Sequence, residues 1–81
     1  MEALDGNAIG GLLLEVFGVE MTTATGTCGN CGRVGQVAEF AVYRQVPGTV
    51  VRCRACDHVL MVFAQVRGTN CVDLRGLAAL S

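Results

Sequence analysis

Four of the five cysteines fall in two hooks, Cys28-Gly29-Asn30-Cys31 and Cys53-Arg54-Ala55-Cys56, with 21 residues between them. A Cys-x-x-Cys turn presents two thiolates from one tight bend. Two such turns, separated by about a hairpin's length of chain, supply the tetrahedral sulfur set that a single zinc ion takes. Cys28, Cys31, Cys53 and Cys56 are therefore the expected metal ligands. Four thiolates complete the tetrahedron and leave no position for water, so the site reads as closed and structural, and hydrolytic metal catalysis is disfavoured.

An iron centre of the rubredoxin type uses the same four ligands. Such centres usually sit among aromatic residues under an acidic surface, and three Phe and one Tyr in the whole chain give that alternative little support. Cys71 is the odd thiol. Its plain reading is a small buried hydrophobe, and its functional reading a resolving thiol in a redox switch. His58, the single histidine, stands two residues past a hook that already saturates the metal. No Ser, Asp or Glu arrangement around it makes a nucleophile-and-base set, so no catalytic residue is expected.

Arg33, Arg52 and Arg54 are half of the basic residues, and each lies within two positions of a hook cysteine. Four thiolates around one divalent ion carry a net −2, which these arginines offset; alternatively they form a local phosphate-contacting patch. The total charge offers no general basic excess of the kind that nucleic-acid binding draws on: it is −1 with neutral thiols.

The elements that must position the hooks follow from pattern. Asp5 is an expected N-cap for a helix within residues 1–18, with Ile9, Leu12, Leu13, Val16 and Phe17 on one face and Gly18 as the stop. Leu14 lies off that stripe, where an outside contact would show. Gly10 and Gly11 weaken the helix and suggest close approach of a strand. Val19 to Thr27 reads as a connector. Gly32 occupies a knuckle position that favours positive φ. A strand is expected over 37–46, a Pro47-Gly48 turn after it, and a return over 50–53 that carries the second hook back to the first. The run 58–67 is apolar on both faces in its first half and predicts a central strand covered twice. Gly68 to Asn70 reads as a loop into a strand from Cys71 to Arg75, and Leu77 to Leu80 as a short apolar tail.

An 81-residue chain is one domain whose core alone is marginal, so a staple is expected. At 52% hydrophobic and 16% charged residues it should fold throughout. No basic residue precedes Arg33, which argues against a secretory signal, and the apolar stretch from Ala8 to Val19 is short and interrupted by Glu15. A cytoplasmic protein without membrane contact is the expectation, in a compartment where paired thiols favour metal over disulfide.

Four stretches, Leu4 to Ala8, Cys28 to Gly32, Arg52 to Cys56 and Asp73 to Gly76, resemble those of a family of short actinobacterial zinc-ribbon proteins catalogued as a domain of unknown function. The resemblance spans nearly the whole chain. In that family an aromatic residue is frequent where Cys71 stands, so no thiol role is implied there. The resemblance implies an actinobacterial cytoplasm and a likeness to the wider zinc-ribbon class of transcription and translation proteins.

The expected fold is a small α+β domain, one N-terminal helix packed on a three- or four-stranded antiparallel zinc-ribbon sheet over 28–75. The expected function is a non-enzymatic zinc-binding module that presents a surface to a protein or nucleic-acid partner, with a thiol/zinc redox sensor as the alternative. A homodimer closing over Met61 and Phe63 is a further expectation.

Overall fold

A computed structural model describes residues 4–45 and 48–81. It is an α+β arrangement with eight strands in two antiparallel sheets, more than the three or four expected from pattern. The five-stranded sheet runs β1 (Leu4–Asp5), β4 (Ala41–Gln45), β5 (Gly48–Arg52), β6 (Val59–Val66), β7 (Thr69–Asp73). The three-stranded sheet runs β3 (Val34–Gln36), β2 (Thr25–Cys28), β8 (Leu77–Leu80).

The helix α1 spans Gly10–Phe17 and ends at Gly18, whose N–H donates to the Leu14 carbonyl at 2.8 Å. Ile9 and Leu13 are buried, Leu12, Val16 and Phe17 pack at the margin of the core, and Leu14 is exposed, as the stripe requires. Its start differs from expectation. Asp5 pairs with Ala41 in β1, a 3₁₀ turn covers Gly6–Ile9, and Ile9 takes the N-cap position without a side-chain bond. The early chain closes the edge of β4, and Asp5 stands before the 3₁₀ turn rather than at the start of α1. Gly10 and Gly11 meet no strand: a methyl group at Gly10 would touch only Thr22, and at Gly11 nothing within 4 Å.

The connector expected before the first hook contains β2, and the tail expected after Gly76 is β8, its antiparallel neighbour. Neither shows a strand pattern of its own; each forms because the other is there to pair with. Gly26 and Gly35 face each other across β2 and β3, and the Phe40 ring lies on Gly26 so closely that a methyl group there would sit 2.8 Å from the ring. The strand expected over 37–46 is a 3₁₀ turn, Val37–Glu39, followed by β4. Gln36 and Glu39 cap that turn reciprocally, and Val37 drops into the core. The β4–β5 hairpin is antiparallel, with Gln45 opposite Gly48; Val46 and the Pro47 turn lie outside the described residues.

β6 is internal, as expected, but its double burial has another cause. The ladder slips between Val51 and Arg52, leaving Leu60 as an extra residue. That bulge re-aims Leu60, so that consecutive Leu60 and Met61 are both buried, each 1% exposed. Met61 and Phe63 belong to the chain's own core, beside Val42 and Val51, and so present no face to a second copy. The β6–β7 turn is Arg67-Gly68, both with positive φ, rather than Gly68 to Asn70.

One segment joins the sheets. Between β7 and β8 the chain runs Leu74-Arg75-Gly76, and a Cβ on Gly76 would sit 1.8 Å from the Val59 carbonyl oxygen. The carbonyl of Gly76 accepts from Gly29 N–H at 2.9 Å on its other side. Gly76→Ala should destabilise at the upper end of the roughly 1–3 kcal/mol that overpacking costs, because backbone flanks the site. Gly11→Ala, in open helix, should instead stabilise by about 0.5–1 kcal/mol. Urea denaturation of the two variants reads both signs.

Candidate metal centre

The two hooks come from different sheets. Cys28 ends β2, and Cys31 follows in the turn to β3; Cys53 and Cys56 lie between β5 and β6. Each hook is prepared by a slip in the ladder, at Thr27/Cys28 against β8 and at Val51/Arg52 against β6, which bends the strand end toward the other sheet. All four expected ligands converge, and their sulfur atoms lie within 4.8 Å of one another.

The knuckles are built alike. Cys28 N–H donates to the Arg33 carbonyl at 2.8 Å and Gly32 N–H to the Cys28 carbonyl at 3.1 Å. In the second, Cys53 N–H donates to the His58 carbonyl at 2.9 Å and Asp57 N–H to the Cys53 carbonyl at 2.9 Å. The residue after each hook turns left-handed, Gly32 with φ 79° and Asp57 with φ 63°. Backbone amides point at sulfur in both: Asn30 and Cys31 to Cys28 Sγ at 3.4 and 3.5 Å, and Ala55 to Cys53 Sγ at 3.4 Å. Such bonds favour thiolate over thiol.

Across the knuckles, Cys28 Sγ lies 3.7 Å from Cys56 Sγ, and Cys31 Sγ 3.7 Å from Cys53 Sγ. A disulfide would need about 2.05 Å. A tetrahedral thiolate site with metal–sulfur bonds of about 2.3 Å has edges of about 3.8 Å. The set therefore fits one tetrahedral ion. Cys28 and Cys53, the first of each hook, are buried, whereas Cys31 is exposed.

Cys28, Cys31 and Cys56 do not titrate alike. The Asn30 side chain, with the His58 N–H, holds the Cys56 thiol down at about 6. Cys28 is lowered, chiefly by the Cys31 N–H. Cys31 moves the other way: although the Arg33 N–H favours its thiolate, desolvation and hydrogen bonds shared with Cys56, Cys53 and Cys28 push it up to about 11.

Two of the three hook arginines are engaged within the chain. Arg54 donates to the Glu39 carbonyl at 2.6 Å and to the Leu4 carbonyl at 3.4 Å, tying the second knuckle to the 3₁₀ turn and to β1. Arg52 donates to the Asp57 carbonyl at 3.0 Å, pairs with its carboxylate at 3.7 Å and lies 6.0 Å over the Tyr43 ring. Arg33 is exposed and makes no side-chain hydrogen bond or ion pair among the described residues. Cys71 is exposed on β7, not buried as expected, because it sits on the outer strand of its sheet. His58 is exposed and contributes its backbone.

Asn30 and Asp57 are site residues that pattern reading passed over. Asp57 had a signal: it stands after Cys56 where Gly32 stands after Cys31, and aspartate tolerates the left-handed region better than most residues. Among the described residues no helix is long and apolar enough to cross a membrane.

Comparison with known proteins gives one positive result: the model of a family described as "Family of unknown function (DUF6510)" matches residues 1–81. No curated protein and no solved structure matches the chain.

Two outcomes follow from this geometry. A metal must displace the proton of Cys31, which is bound at any pH below about 11. Affinity should therefore fall at least tenfold per pH unit on acidification from about pH 9 to pH 7, read by competition with a chelating dye. Gly32→Ala meets no atom within 4 Å and so tests backbone strain alone. It should cost about 1–2 kcal/mol with metal content unchanged.

Proposed function

The chain belongs to the DUF6510 family over its whole length, and with that as premise we propose that it is a non-enzymatic module in which one zinc ion, held by Cys28, Cys31, Cys53 and Cys56, locks two sheets into a rigid surface for a partner. The observation that carries this reading is the convergence of four sulfurs from two sheets, with cross-knuckle distances of 3.7 Å. Zinc would supply a cross-link and no reactive position, since the protein fills all four corners. Rubredoxin-type iron is surrounded by aromatic side chains, whereas the cavity beside Cys53 and Cys56 is lined by one, Tyr43, with Ala41, Arg54, Ala55 and Asp57.

A protein partner suits the surface better than a nucleic acid. With thiolates and zinc counted, the charge is about −3. Arg52 and Arg54, two of the three arginines for which phosphate contact is the alternative reading, donate to carbonyl groups of the chain. A phosphate backbone is bound by clusters of free cations, and here the knuckles offer Arg33.

The purified protein should carry one zinc per chain by mass spectrometry under native conditions. Removal by a strong chelator should unfold it, because a structural zinc contributes on the order of 10 kcal/mol. Cys53→Ser should lose the metal and the fold together, and Cys71→Ser neither. A chain that keeps its circular dichroism after chelation would overturn the structural role. Reversible zinc release at modest peroxide excess, with refolding on reduction, would favour a redox sensor instead. Binding to RNA or DNA at low salt would reverse the choice of partner.

A further inference from the structure

Strand β7 pairs only with β6 among the described residues, so its other edge carries unmatched backbone groups. The turn decides which groups face outward. Arg67 and Gly68, with φ 52° and 78°, form a two-residue hairpin loop, and the pair flanking such a loop, Val66 with Thr69, is hydrogen-bonded. Bonding alternates along an antiparallel ladder. Thr69, Cys71 and Asp73 therefore direct N–H and C=O to β6, and residues 70 and 72 direct theirs to the open edge. Val72, opposite the buried Phe63, is 38% exposed, and Cys71 is exposed on the other face.

We propose that a second copy of this chain occupies that edge, β7 against β7 antiparallel about a two-fold axis at Cys71, and that a peroxide-class oxidant joins the two Cys71 sulfurs as a disulfide. The register selects this occupant. Cys71 is the middle residue of Thr69–Asp73. A two-fold centred there overlaps the full strand, sets residue 70 of each copy opposite residue 72 of the other, and satisfies every outward group of both strands. A centre at 70 or 72 leaves outward groups beyond the end of the overlap. Cys71 then meets its copy as a non-hydrogen-bonded pair, with Cα atoms about 4.5 Å apart, inside the roughly 4.4–6.8 Å span of disulfides.

Pairing five residues buries well under the roughly 1,200 Å² of a stable interface, so the reduced pair is transient and the covalent bond makes it persist. The chemistry balances. One Cys71 thiolate attacks hydrogen peroxide, forming S–O as O–O breaks and hydroxide leaves. The partner's Cys71 thiolate then attacks that sulfenic sulfur, forming S–S and expelling hydroxide, which the two released protons convert to water. Overall two thiols and one peroxide give one disulfide and two waters.

The test is stoichiometric hydrogen peroxide on the metal-loaded chain, read by non-reducing electrophoresis and peptide mapping. A Cys71–Cys71 dimer, reversed by dithiothreitol and absent in Cys71→Ser, is expected. Val72→Pro and Asn70→Pro each remove an outward N–H and leave the β6 ladder intact; either one that folds should slow dimer formation at least tenfold. A disulfide mapped to a hook cysteine, a monomer carrying sulfenic or sulfinic Cys71, or proline variants that cross-link at the wild-type rate would overturn the proposal.

Discussion

Four sulfur atoms within 4.8 Å of one another are the point where the two sheets meet, and the rest of the structure is arranged to bring them there. Thiolates at this spacing repel, and the group is stable as a charged set only with a cation at its centre. The consequence reaches the whole chain. The three-stranded sheet has strands of three or four residues, with glycine at positions 26 and 35, and it meets the core through Leu77, Leu80 and the Phe40 ring that lies on Gly26. Its attachment depends on the Cys28 and Cys31 knuckle and on the Gly29–Gly76–Val59 backbone stack beside it. Hydrophobic burial holds the larger sheet against the helix, and the smaller one joins the same core through Cys28, Leu77 and Leu80 together with close backbone packing.

That division explains why residues far apart in sequence are restricted together. Gly76 is pressed between the first knuckle and β6, so that the crossing from one sheet to the other passes beside Gly29 with no room for a side chain. Gly6 is in the same position at the other end of the sheet, where a Cβ would sit 1.9 Å from the Val37 carbonyl oxygen. Both glycines lie in the stretches, Leu4 to Ala8 and Asp73 to Gly76, on which the family resemblance rests. Their restriction is steric, and it concerns how the outer segments close over the hairpin that carries the second hook.

The hooks, the helix stripe, the β4–β5 hairpin and the internal place of β6 were legible in the sequence because each has a local signature: ligand spacing, a 3.6-residue period, and runs of β-branched residues. What was not legible depends on partners distant in the chain. Leu77-Ala78-Ala79-Leu80 carries no strand preference and becomes β8 by pairing with β2. Leu4 and Asp5 are too few to show a period, yet they cover the edge of β4. Cys71 reads as a buried hydrophobe on composition alone, and only the strand order puts it on an outer edge. The double apolar character of the run around Met61 and Phe63 reads as a strand covered twice, because nothing local marks the bulge at Leu60.

The arginines show how the fold limits what the surface can do. An arginine beside a thiolate site looks from sequence like a counter-charge or a phosphate contact, and both readings assume a free guanidinium. Here Arg54 satisfies carbonyls of Glu39 and Leu4, Arg52 closes the second knuckle through Asp57, and Arg75 is bound by both oxygens of Asp73, which it holds down at about 2. Asp57 needs that neighbour, because a left-handed aspartate in place of glycine carries strain that the Arg52 contact helps to offset. The second knuckle thus adds side-chain ties to the same backbone bonds that close the first, and the cost of those ties is cationic surface. Of the three arginines beside the hooks, Arg33 alone among the described residues keeps its guanidinium free, and its neighbour Val34 is exposed beside it, so the first knuckle presents one cation next to an apolar side chain.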